Sequence, residues 1–454
     1  MIKTRHSFIA LTAILGLAVS ACSTIENTAD RLNVFQRNDE GPAAPTDGRI
    51  SILAFEQSLQ TDPELANRPV QLPTAYVNTV WPQPDGYPTH ALEHTQATGP
   101  LAVVWRRDIG EGSGRNRRLN ARPIAAEGNI FVMDAEGVVS ALNAETGDRL
   151  WESRLRSGSR RDRMSFGGGI AYDGGRIYAH AGYRFMVALD ATTGEEIWRA
   201  ESLTPFHAAP TATGGRVFAA TDDNELYALD ANTGDVLWTH QGIVEPARLI
   251  TAPSPAVLGD TLVVPYASGE IVALRVENGN PLWSDALTRT GGLTPISEIN
   301  DVAGSPIIAG ETVYVMNHSG LMAAIDLRSG ERIWNAPAGG LNAPWVAGDY
   351  LFVVTTEGEV VAMERASGRI SWITELATFE DAEDRNDRIA WSGPILAGGR
   401  LFLAGSHGEA VILSATNGAI QNTIRLGDDV YVAPIIVNET IYVVTDDARL
   451  IALR

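Results

Sequence analysis

One short pattern returns along this chain and limits its fold more than any other feature. Segments of the form Ala-Leu-Asp-Ala-x-Thr-Gly, or weaker versions of it, end at seven glycines: Gly147, Gly194, Gly234, Gly279, Gly330, Gly368 and Gly418. Six of them are followed four residues later by a tryptophan: Trp151, Trp198, Trp238, Trp283, Trp334 and Trp372. The seventh has Asn422 at that place. Self-similarity of this kind indicates a repeat architecture.

Each copy of the pattern predicts a β-hairpin. The Asp or Asn starts a turn, and the Gly ends it with a positive φ. Upstream of each turn a Gly or polar residue precedes an alternating apolar strand, as at residues 128–132, 215–219 and 310–315. We expect the Trp to open the following strand and to pack its broad apolar face between neighbouring units.

The spacing shows which connection varies in length. The distance from the proline that opens a unit to its Trp or Asn is 28 residues in six units, beginning with Pro123 to Trp151. The distance from a Trp to the next such proline varies from 10 residues (Trp334 to Pro344) to 23 (Trp283 to Pro306). Loops of variable length on a rigid scaffold are where binding residues concentrate.

Four short strands in a unit of about 45 residues are typical of a propeller blade. The last copy runs out of chain before its fourth strand, and residues 101–105 form a strand without a hairpin partner before the first copy. Pairing the two closes the ring and removes its exposed edges. We therefore predict an all-β fold over residues 100–454: an eight-bladed β-propeller of four-stranded antiparallel blades, closed by the N-terminal strand joining the C-terminal blade.

The N-terminus predicts export. Lys3 and Arg5 precede an apolar stretch that is too short to span a bilayer comfortably, so residues 1–21 are interpreted as a signal peptide. The segment ends Val-Ser-Ala-Cys22, which resembles the lipobox of bacterial lipoproteins and implies a lipidated Cys22. We expect residues 22–48 to be a flexible tether and residues 49–99 an irregular arm.

Composition narrows the function. The formal net charge of −20 argues against a nucleic-acid partner. The single Cys excludes an internal disulfide and a four-cysteine zinc site. No HExxH, phosphate-binding loop or Gly-x-Ser-x-Gly elbow is present. We therefore predict no catalytic residue, no metal and no cofactor.

The repeat resembles the blade motif of quinoprotein-type propellers. With the lipobox and the tether, the chain resembles the propeller lipoproteins of the bacterial β-barrel assembly machinery. That resemblance implies a non-enzymatic scaffold, lipid-anchored in the outer membrane on the periplasmic face. Its implied partners are the periplasmic domains of the central barrel protein and unfolded outer-membrane proteins awaiting insertion.

The same resemblance implies a partner-binding site. In that family, neighbouring loops after the Trp strands supply an Arg and acidic residues. The matching positions here are Arg248 and Asp301, while Ala303 stands where a second acid is expected. Glu245 and Ala247 occupy places of apolar anchors, so we expect the contact to use Leu249 and Ile250 as well.

Two other functions stay open from the sequence: a quinone-dependent dehydrogenase and a periplasmic ligand-binding propeller. The enzymes of the quinoprotein family often carry an adjacent Cys pair, which this chain lacks after Cys22. Two Arg-rich loops, containing residues 115–118 and 154–163, are interpreted as solvated loops that balance nearby acids. The alternative for them is contact with acidic partners or lipid headgroups. The acidic run at residues 375–388 does not have EF-hand spacing.

Overall fold

The predicted propeller is confirmed. A computed structural model of the chain describes residues 58–66, 68–158, 166–245, 249, 251, 253–287 and 301–454. The predicted signal peptide, the tether and the start of the arm lie outside the described residues. Among those described, strands and turns build eight four-stranded antiparallel sheets, and none of the segments is a helix with the length and apolar character that crossing a membrane requires.

The blades are numbered in chain order, and each strand pairs with the next one in its blade. Within blades 1 to 7 the strands are numbered from the central axis outwards. Blade 1 consists of β2 (Ile124–Ala126), β3 (Asn129–Met133), β4 (Val138–Asn143) and β5 (Arg149–Arg154), and blade 2 of β6 (Gly169–Asp173), β7 (Arg176–His180), β8 (Phe185–Asp190) and β9 (Glu196–Glu201). Blade 3 consists of β10 (Thr211–Thr213), β11 (Arg216–Ala220), β12 (Glu225–Asp230) and β13 (Val236–Gln241), and blade 4 of β14 (Ala256–Leu258), β15 (Thr261–Pro265), β16 (Glu270–Arg275) and β17 (Pro281–Ala286).

The strands of blades 5 to 7 are β18 (Ile307–Ala309), β19 (Thr312–Met316), β20 (Met322–Asp326) and β21 (Arg332–Ala336); β22 (Trp345–Ala347), β23 (Tyr350–Val354), β24 (Glu359–Glu364) and β25 (Ile370–Glu375); β28 (Trp391–Ala397), β29 (Arg400–Gly405), β30 (Glu409–Ser414) and β31 (Ile420–Arg425). A separate hairpin, β26 (Phe379–Asp381) and β27 (Asn386–Arg388), lies between blades 6 and 7.

Blade 8 closes the ring as predicted. It consists of β32 (Ile435–Val437), β33 (Thr440–Val444) and β34 (Arg449–Leu453), with β1 (Val103–Asp108) as its outermost strand. β1 and β34 pair antiparallel, with Trp105 opposite Ala452. The two ends of the ring are thereby joined by strand pairing, which removes two free sheet edges.

The antiparallel order sorts the connections onto two faces. The turn face carries the turn between the first two strands of a blade and the Asp/Asn-to-Gly turn between its last two strands. The loop face carries the connections of variable length between successive blades. The middle strands of each blade are buried, as β4 is, whereas the side chains of the outermost strand β5 are exposed or only half-buried.

The repeat motif supplies the contact between blades. Trp151, on the outermost strand of blade 1, donates its indole N–H to the Ala191 carbonyl of blade 2 at 3.0 Å. Its ring covers Gly194, where an added Cβ would lie 2.5 Å from the indole Cε3. The equivalent indole-to-glycine pairs at six of the other seven seams are Trp105–Gly147, Trp198–Gly234, Trp238–Gly279, Trp283–Gly330, Trp334–Gly368 and Trp372–Gly418.

The alanine of the motif has a steric role. In blades 1 to 6 it lies directly opposite the Trp on the neighbouring strand, as Ala188 does opposite Trp198. In blade 7 the sizes are exchanged, since Ile412 lies opposite Asn422. A small residue opposite the indole leaves room for it to reach the next blade.

The arm enters the ring. Described residues 59–98 cross the turn face, and residues 76–96 fill the central channel at that end. Trp81 forms a two-way backbone pair with Ala125 of blade 1, and Thr95 pairs with blade 7 beside Ala397. The sequence of the arm has no strand periodicity, so the sequence alone did not predict this placement.

The glycine beneath each indole is expected to tolerate no side chain. Gly194→Ala should destabilise the protein by about 1–2 kcal/mol through the left-handed backbone (φ +74°), and by about a further 1–3 kcal/mol through the clash with Trp151. Gly214→Ala is the matched control, because φ is +60° there and nothing lies within 4 Å of the added Cβ. Denaturant unfolding that gives equal losses for both variants would contradict the role assigned to the seam.

Candidate functional site between blades 3 and 4

The candidate site lies on the loop face, where two neighbouring connections meet. One connection follows β13 and leads into blade 4, and the other follows β17 and leads into blade 5. Arg248 and Ile250 lie outside the described residues, as do residues 288–300. The structure describes Leu249 and Asp301 and brings them together: the Leu249 backbone N–H donates to Asp301 Oδ2 at 2.8 Å.

Asp301 is buried inside this site. Only 3% of the residue is exposed, and its backbone carbonyl also accepts the N–H of His318 at 3.1 Å. A buried carboxylate that accepts a backbone N–H fixes that backbone strongly, because the hydrogen bond is charge-assisted. Asp301 therefore positions the loop that carries Leu249, which is half-buried.

The ends of the two connections are tied as well. The Ser254 N–H donates to Ser305 Oγ at 2.9 Å. Val302 and Ala303 are buried, and an added Cβ at Gly304 would lie 2.5 Å from the Asn342 carbonyl of the next connection. A carboxylate at position 303 would be buried, so the alanine there removes a desolvation cost.

The sequence interpretation missed the exposed apolar residues of this face. Ile243 and Val244 follow β13 directly and are 61% and 60% exposed. Leu203, in the preceding connection, is 85% exposed. Both groups flank the turn at residues 222–224, because Thr204 Oγ1 donates to Asp223 Oδ1 at 2.7 Å and Asn224 Nδ2 donates to the Ile243 carbonyl at 2.6 Å.

A signal for these residues was present in the chain. Ile243 and Val244 form an apolar pair inside a connection of variable length, just upstream of Glu245, which stands where an apolar anchor was expected. We name Leu203, Ile243 and Val244 the loop-face apolar patch. Exposed large apolar groups that neighbour one another are typical of contact surfaces.

Two buried histidines, one in the arm and one in blade 2, brace connections of the loop face. His90 of the arm donates from Nδ1 to the carbonyl of Pro306 at 2.7 Å, at the end of the connection that holds Asp301. His180 bonds from Nε2 to the Ala208 carbonyl at 2.7 Å, at the end of the connection that holds Leu203. Burial lowers the pKa of each to about 4, so both are neutral at pH 7.

Two arginines of the Arg-rich loops share one acidic partner. Arg117 and Arg154 both pair with Glu136, the latter at 2.6 Å. The hydrogen bond from Arg154 lowers the pKa of the Glu136 carboxyl, despite partial burial. Arg160, Arg161 and Arg163 lie outside the described residues.

The acidic run folds into the β26–β27 hairpin on the loop face. The side chain of Arg388, in β27, donates to the Thr356 carbonyl at 2.7 Å and pairs with Glu357 at 3.0 Å. Within the part of the chain that the structure describes, no group of three or more His, Cys, Asp or Glu side chains is arranged to hold a metal ion.

The part of the central channel beside the arm offers little space for a ligand. A cavity of about 40 Å³ remains beside the arm, lined in part by Trp81, His90, Arg122 and Trp345. Pockets for cofactors and drug-sized ligands measure about 300–1,000 Å³, whereas a water occupies about 30 Å³. The residues present therefore do not fit a quinone cofactor in this part of the channel.

Comparison with known proteins gives a consistent picture. A sequence model of one family, described as outer membrane protein assembly factor BamB, matches residues 95–162, 135–374 and 380–454. A protein of that name from Xanthomonas campestris pv. campestris is 27% identical over 453 residues, which cover 98% of this chain and 97% of the relative. The protein of that name from Escherichia coli K12 is 33% identical over 243 residues, covering 53% of this chain and 62% of the relative.

Solved structures agree on the fold. The crystal structure of BamB from Moraxella catarrhalis superposes with a TM-score of 0.67 at 20% identity, covering 78% of this chain and 99% of that one. A quinohemoprotein alcohol dehydrogenase from Comamonas testosteroni superposes with a TM-score of 0.63 at 15% identity, covering 84% of this chain and 81% of that one. At such identities the likeness is one of architecture.

Removing the carboxylate of Asp301 should loosen the Leu249 loop. Asp301→Ala is expected to cost about 1–3 kcal/mol of unfolding free energy, because the Leu249 N–H loses its acceptor. In this variant the Leu249 backbone amide should exchange with solvent at least tenfold faster, as measured by hydrogen exchange. Asp260→Ala, in an exposed pair with Arg275, is the control and should change stability by less than about 1 kcal/mol. Unchanged exchange at Leu249 would contradict the positioning role.

Acid should destabilise the braced connections. The unfolded chain binds a proton on each histidine below its ordinary pKa of 6.5, whereas folded His90 and His180 bind one only near pH 4. Their contribution is therefore complete above pH 6.5 and is lost as the pH falls, by roughly 2 kcal/mol per histidine at pH 5. In His180→Gln the difference in unfolding free energy between pH 7 and pH 5 should shrink by about that amount. An unchanged difference would show that His180 is not buried and neutral.

Proposed function

This chain belongs to the outer membrane protein assembly factor BamB family, and on that premise we propose that it is a non-enzymatic scaffold of the outer-membrane β-barrel assembly complex. It binds the periplasmic domains of the central barrel protein and aids delivery and insertion of outer-membrane proteins. A lipid on Cys22 anchors it in the outer membrane, and the ring lies on the periplasmic side. Residues 1–21 are the signal peptide that this location requires.

One observation carries the proposal: the hydrogen bond between Leu249 and Asp301 joins two connections of neighbouring blades on one face. The joined connections carry Leu249 and, a few residues upstream in the chain, Ile243 and Val244, which are exposed to solvent. The proposal adds Arg248 and Ile250, the sequence neighbours of Leu249. Apolar groups combined with a cation suit a protein partner, because the apolar groups give affinity and the charge gives orientation.

The surroundings of the patch specify the partner's charge. Asp222 has a half-exposed carboxylate, and Glu245 lies directly after Val244. The Ile243 N–H donates to Glu270 Oε2 at 2.8 Å, so a carboxylate lies directly beside the apolar pair. We therefore expect the docking domain to present apolar residues flanked by Lys or Arg, with an acidic group opposite Arg248.

The enzyme alternative finds less support. A quinone-dependent dehydrogenase needs its cofactor over the central channel, and the arm occupies that channel from the turn face. The Cys pair that often covers the quinone has no counterpart after Cys22. A ligand-binding propeller finds no cavity of ligand size beside the arm, and the cavity of about 350 Å³ lined in part by Glu111, Asp134 and Arg154 lies away from the central channel.

A pull-down tests the proposal. Tagged protein is recovered from its own envelope in mild detergent, and bound proteins are identified by mass spectrometry. We expect a large outer-membrane barrel protein with periplasmic repeats, and we expect Arg248→Glu or the pair Ile243→Asp with Val244→Asp to abolish its recovery with unchanged melting temperature.

Leu150→Asp is the matched control, since Leu150 is 55% exposed but lies on the outer strand of blade 1, away from the patch. It should leave recovery of the barrel protein unchanged. Recovery that survives both the Arg248 and the patch substitutions would place the contact elsewhere on the ring.

A further inference from the structure

Residues 76–96 behave like a bound peptide inside the ring. They contain no strand longer than an isolated bridge, yet several of their side chains are almost fully buried: Asn78, Trp81, Gln83, His90, Leu92 and Thr95. The segment contacts the first, innermost strand or the adjoining turn of every blade, as the following hydrogen bonds show.

Backbone groups make most of these contacts. The Trp81 N–H and carbonyl pair with Ala125 of blade 1 at 2.7 and 2.8 Å. The carbonyls of the arm then accept N–H groups from the other blades around the ring: Tyr172 to Pro82 and Val257 to Pro88 at 2.7 Å, Ile308 to Thr89 and Gly398 to Thr95 at 2.9 Å, and Asn438 to Asn78 at 2.7 Å.

Three side chains act as backbone substitutes. The amide of Gln83 donates to the carbonyls of Tyr172 and Ala212 at 3.0 and 2.9 Å and accepts the Ala212 N–H at 3.0 Å, so it bridges blades 2 and 3. Glu93 accepts the Gly348 N–H of blade 6 at 2.7 Å. Asn78 Nδ2 donates to the Ile436 carbonyl of blade 8 at 3.0 Å.

A buried ion pair and two indoles anchor the segment. Asp85 pairs with Arg122 of blade 1, with side chains only 11% and 14% exposed. Burial lowers the pKa of Arg122 to about 10, so it stays charged at pH 7 and needs the Asp85 carboxylate as its partner. Trp81 lies 6.2 Å from Trp345 of blade 6, measured between ring centroids.

The innermost strands create the need for such a segment. Each is the edge of its sheet, and an edge strand presents unpaired N–H and C=O groups that bind another extended chain. Eight edges converge on the channel of this ring, and the arm forms hydrogen bonds with them, acceptor to donor and donor to acceptor. The arm thus contacts all eight blades although its sequence has no eightfold repeat.

We propose that the turn-face end of the central channel is a binding site for an extended polypeptide, and that residues 76–96 are its permanent ligand, bound in cis as a plug. The plug closes the channel to threading by any other chain. It also braces the loop face, because His90 reaches Pro306 and lies 3.3 Å from Ser254 Oγ. This inference concerns the channel and does not depend on which protein binds the loop face.

Hydrogen exchange on the uncut chain tests the plug. The N–H groups of Tyr172, Val257, Ile308 and Asn438 face the channel and donate to the arm, so we expect them to exchange slowly. In the double variant Trp81→Ala with Gln83→Ala, these four should exchange at least a hundredfold faster, while amides within the middle strands stay protected. Gln71→Ala, on an exposed part of the arm, is the matched control and should leave all four protected.

Cleavage of the otherwise unaltered chain provides the second measurement. A protease site is inserted between Gly99 and exposed Pro100, and the folded protein is cut there. The fragment ending at residue 99 should co-elute with the ring in size-exclusion chromatography and separate only on unfolding. Separation under native conditions with an unchanged circular dichroism spectrum, or rapid exchange of the four amides in the unaltered chain, would overturn the proposal.

Discussion

The ring depends on one contact, repeated at seven of its eight seams: an indole that covers the glycine of the next blade's turn and donates its N–H to a carbonyl there. The same three residues of the motif serve it together. The glycine supplies a positive φ and bare surface, the alanine leaves room opposite the indole, and the Trp buries a large apolar area between blades. Because each Trp reaches the next blade, the contact sets the spacing of neighbouring blades.

The eighth seam explains the one departure from the motif. A Trp at position 422 of blade 7 would meet the last turn of blade 8. Blade 8 has no such turn between its last two strands, because β34 pairs there with β1, which comes from the other end of the propeller. Asn422 is exposed there, and Ile412 opposite it fills the space that an alanine leaves elsewhere. The closure of the ring by strand pairing therefore also explains why blade 7 has no Trp at this position.

The arm and the candidate site are linked through the middle of the ring. Asp85 and His90 reach Ser254, and His90 reaches Pro306, so the plug contacts the ends of both connections that meet at Leu249 and Asp301. Connections on a propeller face are held at their ends by the innermost strands of two blades. Here a third element, the plug, also contacts the described ends of both connections, at Ser254 and Pro306.

The sequence by itself determined the blade count, the strand order and the closure, because a hairpin motif with fixed spacing constrains local geometry at every copy. The variable lengths of the connections pointed to the loop face, and the family resemblance implied the two connections that meet at the candidate site. Tertiary structure alone decided the burial of Asp301, the exposure of Ile243 and Val244, and the path of residues 76–96 through the channel. Those features arise where residues far apart in the chain meet: the Gln83 amide donates to carbonyls of two blades, and Asp85 pairs with Arg122. No local pattern encodes such contacts, because the partner of each group is set by the ring that the repeats have already built.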